Sequence, residues 1–237
     1  MTSTVARHPG LRPYVPDLLG SWQPTAGDNR HMRVPGSLAF VDISGFTRLT
    51  ERLARRGKVG AEEMSDLLNA TFAALLEDAL AEGADLVKWG GDAVLLLFRG
   101  TDHAGRACRA AFDMRATLRT VGTLRTSAGT VTLRMSVGVH SGDFDFYLVG
   151  DPDRHRELLV VGPEASTTAR MESVATAGQV IVSDRTAVLL PRLVHRPGPV
   201  EGSRLLRGRP PAEQPVVPEQ RRSTASDDDR LGQYVPA

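Results

Sequence analysis

The stretch of sequence that most constrains the fold is Ser37-Leu38-Ala39-Phe40-Val41-Asp42-Ile43-Ser44-Gly45. Its apolar centre has the length and residue types of a buried β-strand, predicted over 37–43. Ser44 and Gly45 are turn-forming residues that end the strand. Asp42 interrupts the apolar run, and a carboxylate buried there without compensation would be costly. The stretch therefore predicts a core strand that ends on a charged group.

Two short apolar runs further along the chain flank a glycine-rich turn. They cover 85–89 and 93–98 and predict a β-hairpin with Gly90-Gly91-Asp92 at its tip. Each aspartate alone would be an ordinary strand-end or turn residue. If the hairpin pairs with the strand that carries Asp42, however, both carboxylates reach one edge of the sheet. They then predict a site for Mg²⁺ or Mn²⁺, and two such ions about 3.5–4 Å apart would suit phosphoryl transfer.

The remaining elements predict a single mixed sheet. The predicted helices cover 60–82, 102–120 and 163–174, and the further strands cover 131–140, 144–149, 158–161 and 178–183. This order indicates an α+β fold, a ferredoxin-like mixed β-sheet with helices packed on one face. One domain is expected over 36–195, after an N-terminal arm of 1–35. A Pro-rich tail over 196–237 is expected to be disordered.

Composition excludes several classes of protein. The 29 basic and 28 acidic residues give a net charge of +1, without the basic excess of a nucleic-acid-binding protein. No apolar run approaches the ~20 residues that span a bilayer, and the first residues lack the apolar stretch of a secretory signal. Cys108 is the only cysteine, which excludes an intrachain disulfide, and it is expected to be buried on a helix. A cytoplasmic protein is therefore expected.

A second candidate feature is the strand-to-helix junction Ser44-Gly45-Phe46-Thr47. Backbone N–H groups at a helix start bind phosphate, and Gly45 would let the backbone approach closely. By itself the segment could be only a helix N-cap. The chain has no G-x-x-x-x-G-K-[ST] motif, so it is not a P-loop protein.

Other notable residues have ordinary structural interpretations. His140 is expected to be a hydrogen-bonded structural histidine, and Trp89 is expected to serve packing. His103 is interpreted as a loop residue without an identified partner, and Arg156 as part of a solvated loop.

Four segments together resemble the catalytic domain of class III nucleotide cyclases. They are Phe40 to Glu51, Lys88 to Phe98, Val137 to Gly142 and Val160 to Ser173. The resemblance covers about 36–190, in order and without large gaps. With the arm segment Leu11-Arg12-Pro13-Tyr14-Val15-Pro16, the chain is most similar to the first domain of soluble tandem-type adenylate cyclases.

The resemblance implies a metal site and a triphosphate site. Asp42 and Asp92 would hold two Mg²⁺ or Mn²⁺ ions, assisted by the Ile43 carbonyl. Phe46 and Thr47, with Gly45 before them, would lie beside the triphosphate of ATP.

It also implies how the base and the transition state are bound. Lys88 would donate to an adenine ring nitrogen, and Arg170 would stabilise the transition state by its charge. The reaction would form cyclic AMP and pyrophosphate. Two positions depart from the family pattern: Leu159 stands where Asp or Thr is usual, and Ser166 where Asn is usual.

Family active sites form at a dimer interface, so a homodimer or a heterodimer with another cyclase-type domain is implied. The departures at Leu159 and Ser166 leave an alternative open. In it, the chain is a regulatory subunit that binds nucleotide or bicarbonate through Lys88 and Arg170 and activates a partner. A diguanylate-cyclase-like enzyme is disfavoured, because Ala93-Val94 follows Gly90-Gly91-Asp92 where that signature has Glu-Phe. A ferredoxin-like module with chance acidic residues is the weakest interpretation.

Overall fold

The computed structural model describes residues 16–22, 30–151, 155–190 and 192–212. The helices are α1 (Asp17–Ser21), α2 (Phe46–Ala54), α3 (Lys58–Ala81), α4 (His103–Val121), α5 (Pro163–Ser173) and α6 (Asp184–Val188). The strands are β1 (His31–Ser44), β2 (Asp85–Gly90), β3 (Ala93–Phe98), β4 (Thr123–Thr126), β5 (Gly129–Thr132), β6 (Arg134–Asp151), β7 (His155–Val161), β8 (Val180–Ser183), β9 (His195–Pro197) and β10 (Ser203–Leu206).

The main sheet has the strand order β2-β3-β1-β6-β8-β10-β9, with β7 paired to β6, while β4 and β5 form a separate ribbon. The β6–β8 pair is parallel, and β1 is antiparallel to both of its neighbours. The sheet is therefore mixed, and the predicted α+β, ferredoxin-like class is confirmed.

The two faces of the sheet are covered differently. Alternate β1 residues such as Ala39 and Val41 pack against α2, α3 and α4 and form the larger hydrophobic core with them. The long helices α3 and α4 thus lie on one face of the sheet, as predicted. The opposite face carries a second cluster, to which α1 contributes Leu18 and Leu19 and its C-cap contributes Trp22. The buried Asp85 carboxylate on β2 accepts hydrogen bonds from the first two backbone amides of α1, each at 2.7 Å. This contact fixes α1 against the sheet.

One long strand replaces two predicted ones. The prediction of separate strands over 131–140 and 144–149 is wrong, because β6 runs unbroken from Arg134 to Asp151. Ser141 and Gly142 pair with Ser37 and Gly36 of β1, so the ladder continues through the expected turn. The buried Ser141 hydroxyl is satisfied by the hydroxyls of Ser37, at 2.7 Å, and of Thr186, at 3.0 Å. Ser141, a residue typical of turns, can thus remain in the buried strand because neighbouring hydroxyl groups hydrogen-bond its side chain.

The domain limits of the structure also differ from the expected 36–195. Strand β1 begins at His31 and pairs with β6 along its whole length. At the other end, β10 pairs with β8 and β9 pairs with β10, which brings part of the expected tail, within 196–206, into the sheet. The rest of that tail, over 213–237, and most of the arm lie outside the described residues. Within the described part of the chain, no helix is long and apolar enough to cross a bilayer.

Candidate active site

The two aspartates predicted to bind metal lie side by side at one edge of the sheet. Asp42 on β1 is opposite Ala93 of β3, and the backbone N–H of Ile43 donates to the carbonyl of Asp92 at 3.1 Å. Partial burial raises the pKa of the Asp42 carboxyl, and the negative charge of Asp92 raises it further. The predicted pairing of strand and hairpin is therefore present, and it leaves two carboxylates that repel each other.

A third carboxylate, not identified from the sequence, lies close to this pair. Glu172 on α5 accepts a hydrogen bond from the Ser136 hydroxyl at 2.9 Å, and Ser136 is opposite Asp42 in the β1–β6 register. Burial raises the pKa of Glu172 against the opposing effect of Ser136, and Asp42 raises it further. The helix approaches the sheet this closely because β6 has Gly138, where an added Cβ would lie 2.1 Å from the Glu172 nitrogen. A Ser-x-Gly spacing in a strand was the only sequence signal for this contact.

The donor set fits a divalent cation that keeps part of its coordination for water and substrate. In the described part of the chain, no three His, Cys, Asp or Glu side chains converge closely enough to hold a metal by themselves. Mg²⁺ is usually bound by one or two carboxylates together with substrate phosphates rather than by a complete protein cage. Asp42 and Asp92 match that pattern, and their mutual repulsion favours a bound cation.

The strand-to-helix junction has the backbone expected of a phosphate site. Gly45 is the N-cap of α2 at φ +109°, a conformation that favours glycine, and the helix begins at Phe46. Phe46 is buried against Phe72, with ring centroids 5.1 Å apart, while Thr47 is exposed. The first-turn N–H groups of α2, which a helix cannot pair internally, lie at the same end of β1 as Asp42.

The side chain predicted to contact adenine is already paired. Lys88 on β2 donates a hydrogen bond to Glu157 on β7, and this contact lowers the pKa of Glu157. About half of each side chain is exposed, at 50% and 52%. β2 and β7 are not hydrogen-bonded neighbours, but Val87 and Leu158 share the second hydrophobic cluster. The β6–β7 ribbon therefore reaches β2 through side chains, a contact that strand order alone does not reveal.

The remaining predicted residues lie on β7 and α5. Leu159 is half-buried on β7 opposite Tyr147 of β6. Ser166 and Arg170 are both exposed on α5, four residues apart and therefore on one face of the helix. Their face differs from that of Thr168 and Met171, which are buried. One chain thus gathers Asp42 and Asp92 into one place but directs Ser166 and Arg170 away from the sheet.

Two of the ordinary interpretations hold and two need correction. His140 is buried within hydrogen-bond distance of Ser183, at 2.7 Å, and of Glu164; burial lowers its pKa despite the neighbouring carboxylate. Trp89 packs edge-on against Phe72 at 4.4 Å. His103, by contrast, is not a loop residue without a partner. It begins α4 and its Nδ1 lies 2.7 Å from the Ser37 hydroxyl oxygen.

The second correction concerns Arg156, which is buried within β7 rather than solvated in a loop. The apolar residues of β7 lie further along the strand, so the sequence pattern hid its start. Cys108 is buried on α4 as expected, and burial raises the pKa of its thiol to about 12.

Comparison with known proteins identifies the class. Residues 31–210 match the family model of the adenylate and guanylate cyclase catalytic domain. The human adenylate cyclase type 10 is 30% identical over 152 residues, a match that covers 62% of this chain and 9% of the human protein. The chain thus spans under a tenth of that relative. It belongs to the class III adenylate and guanylate cyclase family.

Solved structures show the same fold. The guanylate cyclase domain of RhGC from Catenaria anguillulae, in complex with GTP, has a TM-score of 0.63 at 24% identity, over 75% of this chain and 99% of that one. The adenylyl cyclase CyaB from P. aeruginosa has a TM-score of 0.61 at 23% identity, over 76% and 97%. Both adenylate and guanylate cyclases are therefore among the similar proteins.

Proposed function

We propose that the protein is an adenylate cyclase that converts ATP to 3′,5′-cyclic AMP and pyrophosphate with two Mg²⁺ or Mn²⁺ ions. The observation that carries this proposal is the convergence of Asp42 and Asp92 beside the first turn of α2. This arrangement offers carboxylates for the metal and backbone N–H groups for a triphosphate within one end of the sheet.

The proposed reaction is an intramolecular displacement. A bond forms between the ribose 3′-oxygen and the α-phosphorus, the bond from the α-phosphorus to the bridging oxygen of the β-phosphate breaks, and the 3′-hydroxyl proton leaves to solvent. When bound, the metal ions would lower the charge on the reacting oxygens. Asp42, Asp92 and the carbonyl of Ile43 would hold them. The amides of Phe46 and Thr47 would orient the phosphates, with Gly45 allowing their close approach.

The active site is proposed to be completed by a second cyclase-type domain, in a homodimer or a heterodimer. Arg170 has the chemistry to stabilise negative charge that develops on the phosphates, and Ser166 can donate one hydrogen bond on the same helix face. Both side chains are exposed and face away from the sheet that carries Asp42. An adjoining chain can therefore receive them.

ATP is the proposed substrate because of Lys88. An ammonium group can donate to an adenine ring nitrogen, whereas guanine-specific members of the family usually carry Glu at this position. Its present partner is an exposed carboxylate, Glu157, and exposed ion pairs are weak enough to be exchanged for a ligand. Leu159 offers no acceptor for the adenine amino group, so base selection would rest mainly on Lys88.

The direct test is nucleotide turnover with Mn²⁺ by the purified chain and by Asp42→Ala. We expect cyclic AMP from ATP, little cyclic GMP from GTP, and loss of product in the variant by more than about 100-fold, since removal of even outer-shell groups costs 10–100-fold. Equal product from both proteins would refute the metal assignment. Preferential cyclic GMP formation would instead refute the assignment of ATP.

A second candidate is a regulatory cyclase-like subunit that binds nucleotide or bicarbonate and activates a partner. It is favoured by Leu159 and Ser166, which replace polar and amide side chains, and by the ion pair that holds Lys88. The same assay, with and without bicarbonate and with a catalytically competent partner domain, separates the two. A chain that is inactive alone but raises the activity of the partner has the regulatory function.

A further inference from the structure

A cavity lined by none of the residues assigned above adjoins the strand-to-helix junction, because Thr132 and Leu133, which line it, lie next to Gly45. It has a volume of about 370 Å³ and is formed by the end of α4, the start of β6 and the loop 176–179 that precedes β8. Three of its lining residues are arginines: Arg115, Arg119 and Arg134. Its size falls in the range of small-molecule pockets, which begins at about 300 Å³. The cavity is therefore large enough for more than a single ion.

The cavity carries positive charge without a matching carboxylate. No Asp or Glu is among the described residues that line it. Burial lowers the pKa of Arg115, and the positive charge of Arg119 lowers it further, so the two guanidinium groups repel each other. The last turn of α4 favours a cation through the helix dipole, which accounts for Arg119. It does not account for Arg134, which belongs to β6.

The guanidinium of Arg115 is held in place but incompletely bonded. Its carbon lies 4.2 Å from the centre of the Phe112 ring, and its Nη1 donates to the carbonyl of Gly178 at 3.0 Å. Its buried Nε has no hydrogen-bond partner among the described residues. A buried N–H group without an acceptor is unfavourable, and such a group is often satisfied by a bound ion, water or ligand. An oxyanion in the cavity would supply both the acceptor and the missing negative charge.

We propose that this cavity is a binding site for a small molecule that carries a phosphate or pyrophosphate group. The planar guanidinium fork matches the oxygen spacing of a phosphate, and arginines from two elements can contact different oxygens of one group. The cavity volume exceeds what one inorganic phosphate fills, so a diphosphate or a nucleoside monophosphate fits the space better. None of the residues assigned to the cyclase reaction lines this cavity, so the proposed site is a second one. It adjoins the candidate active site, because Arg134 and Met135 pair with Ser44 and Ile43 of β1.

The test is isothermal titration calorimetry of the full chain with pyrophosphate, 5′-AMP and inorganic phosphate as separate ligands. EDTA is present throughout, so that metal-dependent binding at Asp42 and Asp92 is suppressed. We expect pyrophosphate or 5′-AMP to bind more tightly than inorganic phosphate, and the affinity to fall as ionic strength rises. The preferred ligand distinguishes an inorganic source from a nucleotide source.

Variants locate the binding. Arg119→Ala removes an exposed side chain from the cavity edge and should weaken binding by about tenfold, the effect of one charge-assisted hydrogen bond. Gln179→Glu should weaken it similarly, because it adds a negative charge at nearly constant volume and keeps the oxygen that accepts from the Thr176 amide. Arg125→Ala, on the exposed ribbon strand β4, is the matched control and should bind as the wild type does.

Three results would overturn the proposal. The first is that none of the three ligands binds at millimolar concentration. The second is that the wild type, Arg119→Ala and Gln179→Glu bind with equal affinity. The third is that Arg170→Ala lowers the affinity as much as Arg119→Ala is expected to. The last outcome would place the ligand at the proposed active site. Because Arg119 is exposed and Gln179→Glu is isosteric, both variants are expected to fold, which circular dichroism can verify.

Discussion

The two halves of the candidate active site differ in how far one chain completes them. In the metal half, backbone pairing of β1 with β3 brings Asp42 and Asp92 together without any other molecule. In the other half, Lys88 is paired with Glu157, while Ser166 and Arg170 project from α5 into solvent. The difference teaches that sheet register alone brings the acidic residues together, whereas nothing in the described part of the chain brings Ser166 and Arg170 to the aspartates.

The sharpest way to break this comparison is to mix two inactive variants. Asp42→Ala should remove the metal half and Arg170→Ala the transition-state half, each lowering turnover by about 10²-fold or more. If the proposed site spans two identical chains, random pairing makes half of the dimers mixed ones, with one chain of each variant. In a mixed dimer, one of the two sites has both its Asp42 and its Arg170 intact. The mixture should then recover about a quarter of wild-type activity, measured as cyclic AMP formation.

Failure to recover activity in that mixture would place both halves of the site within one chain. A control mixture of Asp42→Ala with Asp92→Ala should stay inactive under either arrangement, because both changes fall in the same half.

A smaller effect is expected from the carboxylate that flanks the metal half. Glu172→Gln keeps the shape of the side chain but removes a negative charge next to Asp42. We expect the Mn²⁺ concentration for half-maximal activity to rise by about tenfold, in the range found for groups adjacent to metal ligands. Ser136→Ala is the matched comparison, since it removes the 2.9 Å hydrogen bond but keeps the charge.

If Ser136→Ala changes the metal requirement as much as Glu172→Gln does, the hydrogen bond and not the charge is responsible. No change in either variant would mean that Glu172 acts only in packing α5 against β6.

In the basic half, freeing Lys88 should have a modest effect. Glu157→Gln removes the charge that holds Lys88, and if Lys88 contacts ATP, the KM for ATP should fall by at most about fivefold, because exposed ion pairs are weak. Steady-state kinetics at saturating Mn²⁺ measure this, with kcat expected to stay constant. An unchanged KM, together with an altered response to bicarbonate, would support the regulatory function instead.

The smallest effect concerns the stability of the metal-free protein. The raised pKa of Asp42 means that the folded chain holds a proton there more tightly than the unfolded chain. The free energy of unfolding should therefore decrease as pH rises from the ordinary aspartate value of 3.8 through the folded-state pKa. Asp42→Asn has no carboxyl to ionise at this position, so its free energy of unfolding does not decrease in this way. The Tm of the variant minus that of the wild type should therefore increase as the pH rises above 3.8.

Thermal melts in EDTA between pH 4 and 7 measure the difference. Saturating Mn²⁺ should reverse its sign at neutral pH, because the metal stabilises only the wild type. A difference that does not vary with pH would contradict the raised pKa of Asp42, which burial causes first and the charge of Asp92 second.

Much of this site could be predicted from the sequence because its acidic half depends on local signals. An apolar strand that ends at Asp42 and a glycine turn that ends at Asp92 specify each position within a few residues, and the apolar pattern fixes which strands lie in the core. Gly45 at the start of α2 is equally local, since its positive φ favours glycine. The unbroken course of β6 was missed because the hydroxyl contacts that hold Ser141 in the strand come from Ser37 and Thr186.

By itself, then, the sequence determined the family and placed Asp42 at the end of a buried strand and Asp92 in a hairpin turn, since these depend on residue type and short spacing. Only the tertiary structure decided that Glu172 lies beside Asp42, that Glu157 pairs with Lys88, and that three arginines from two elements share a cavity. These contacts join residues that are far apart in the chain. They depend on helix placement and on the path of the β6–β7 ribbon, which are set by packing and not by local pattern.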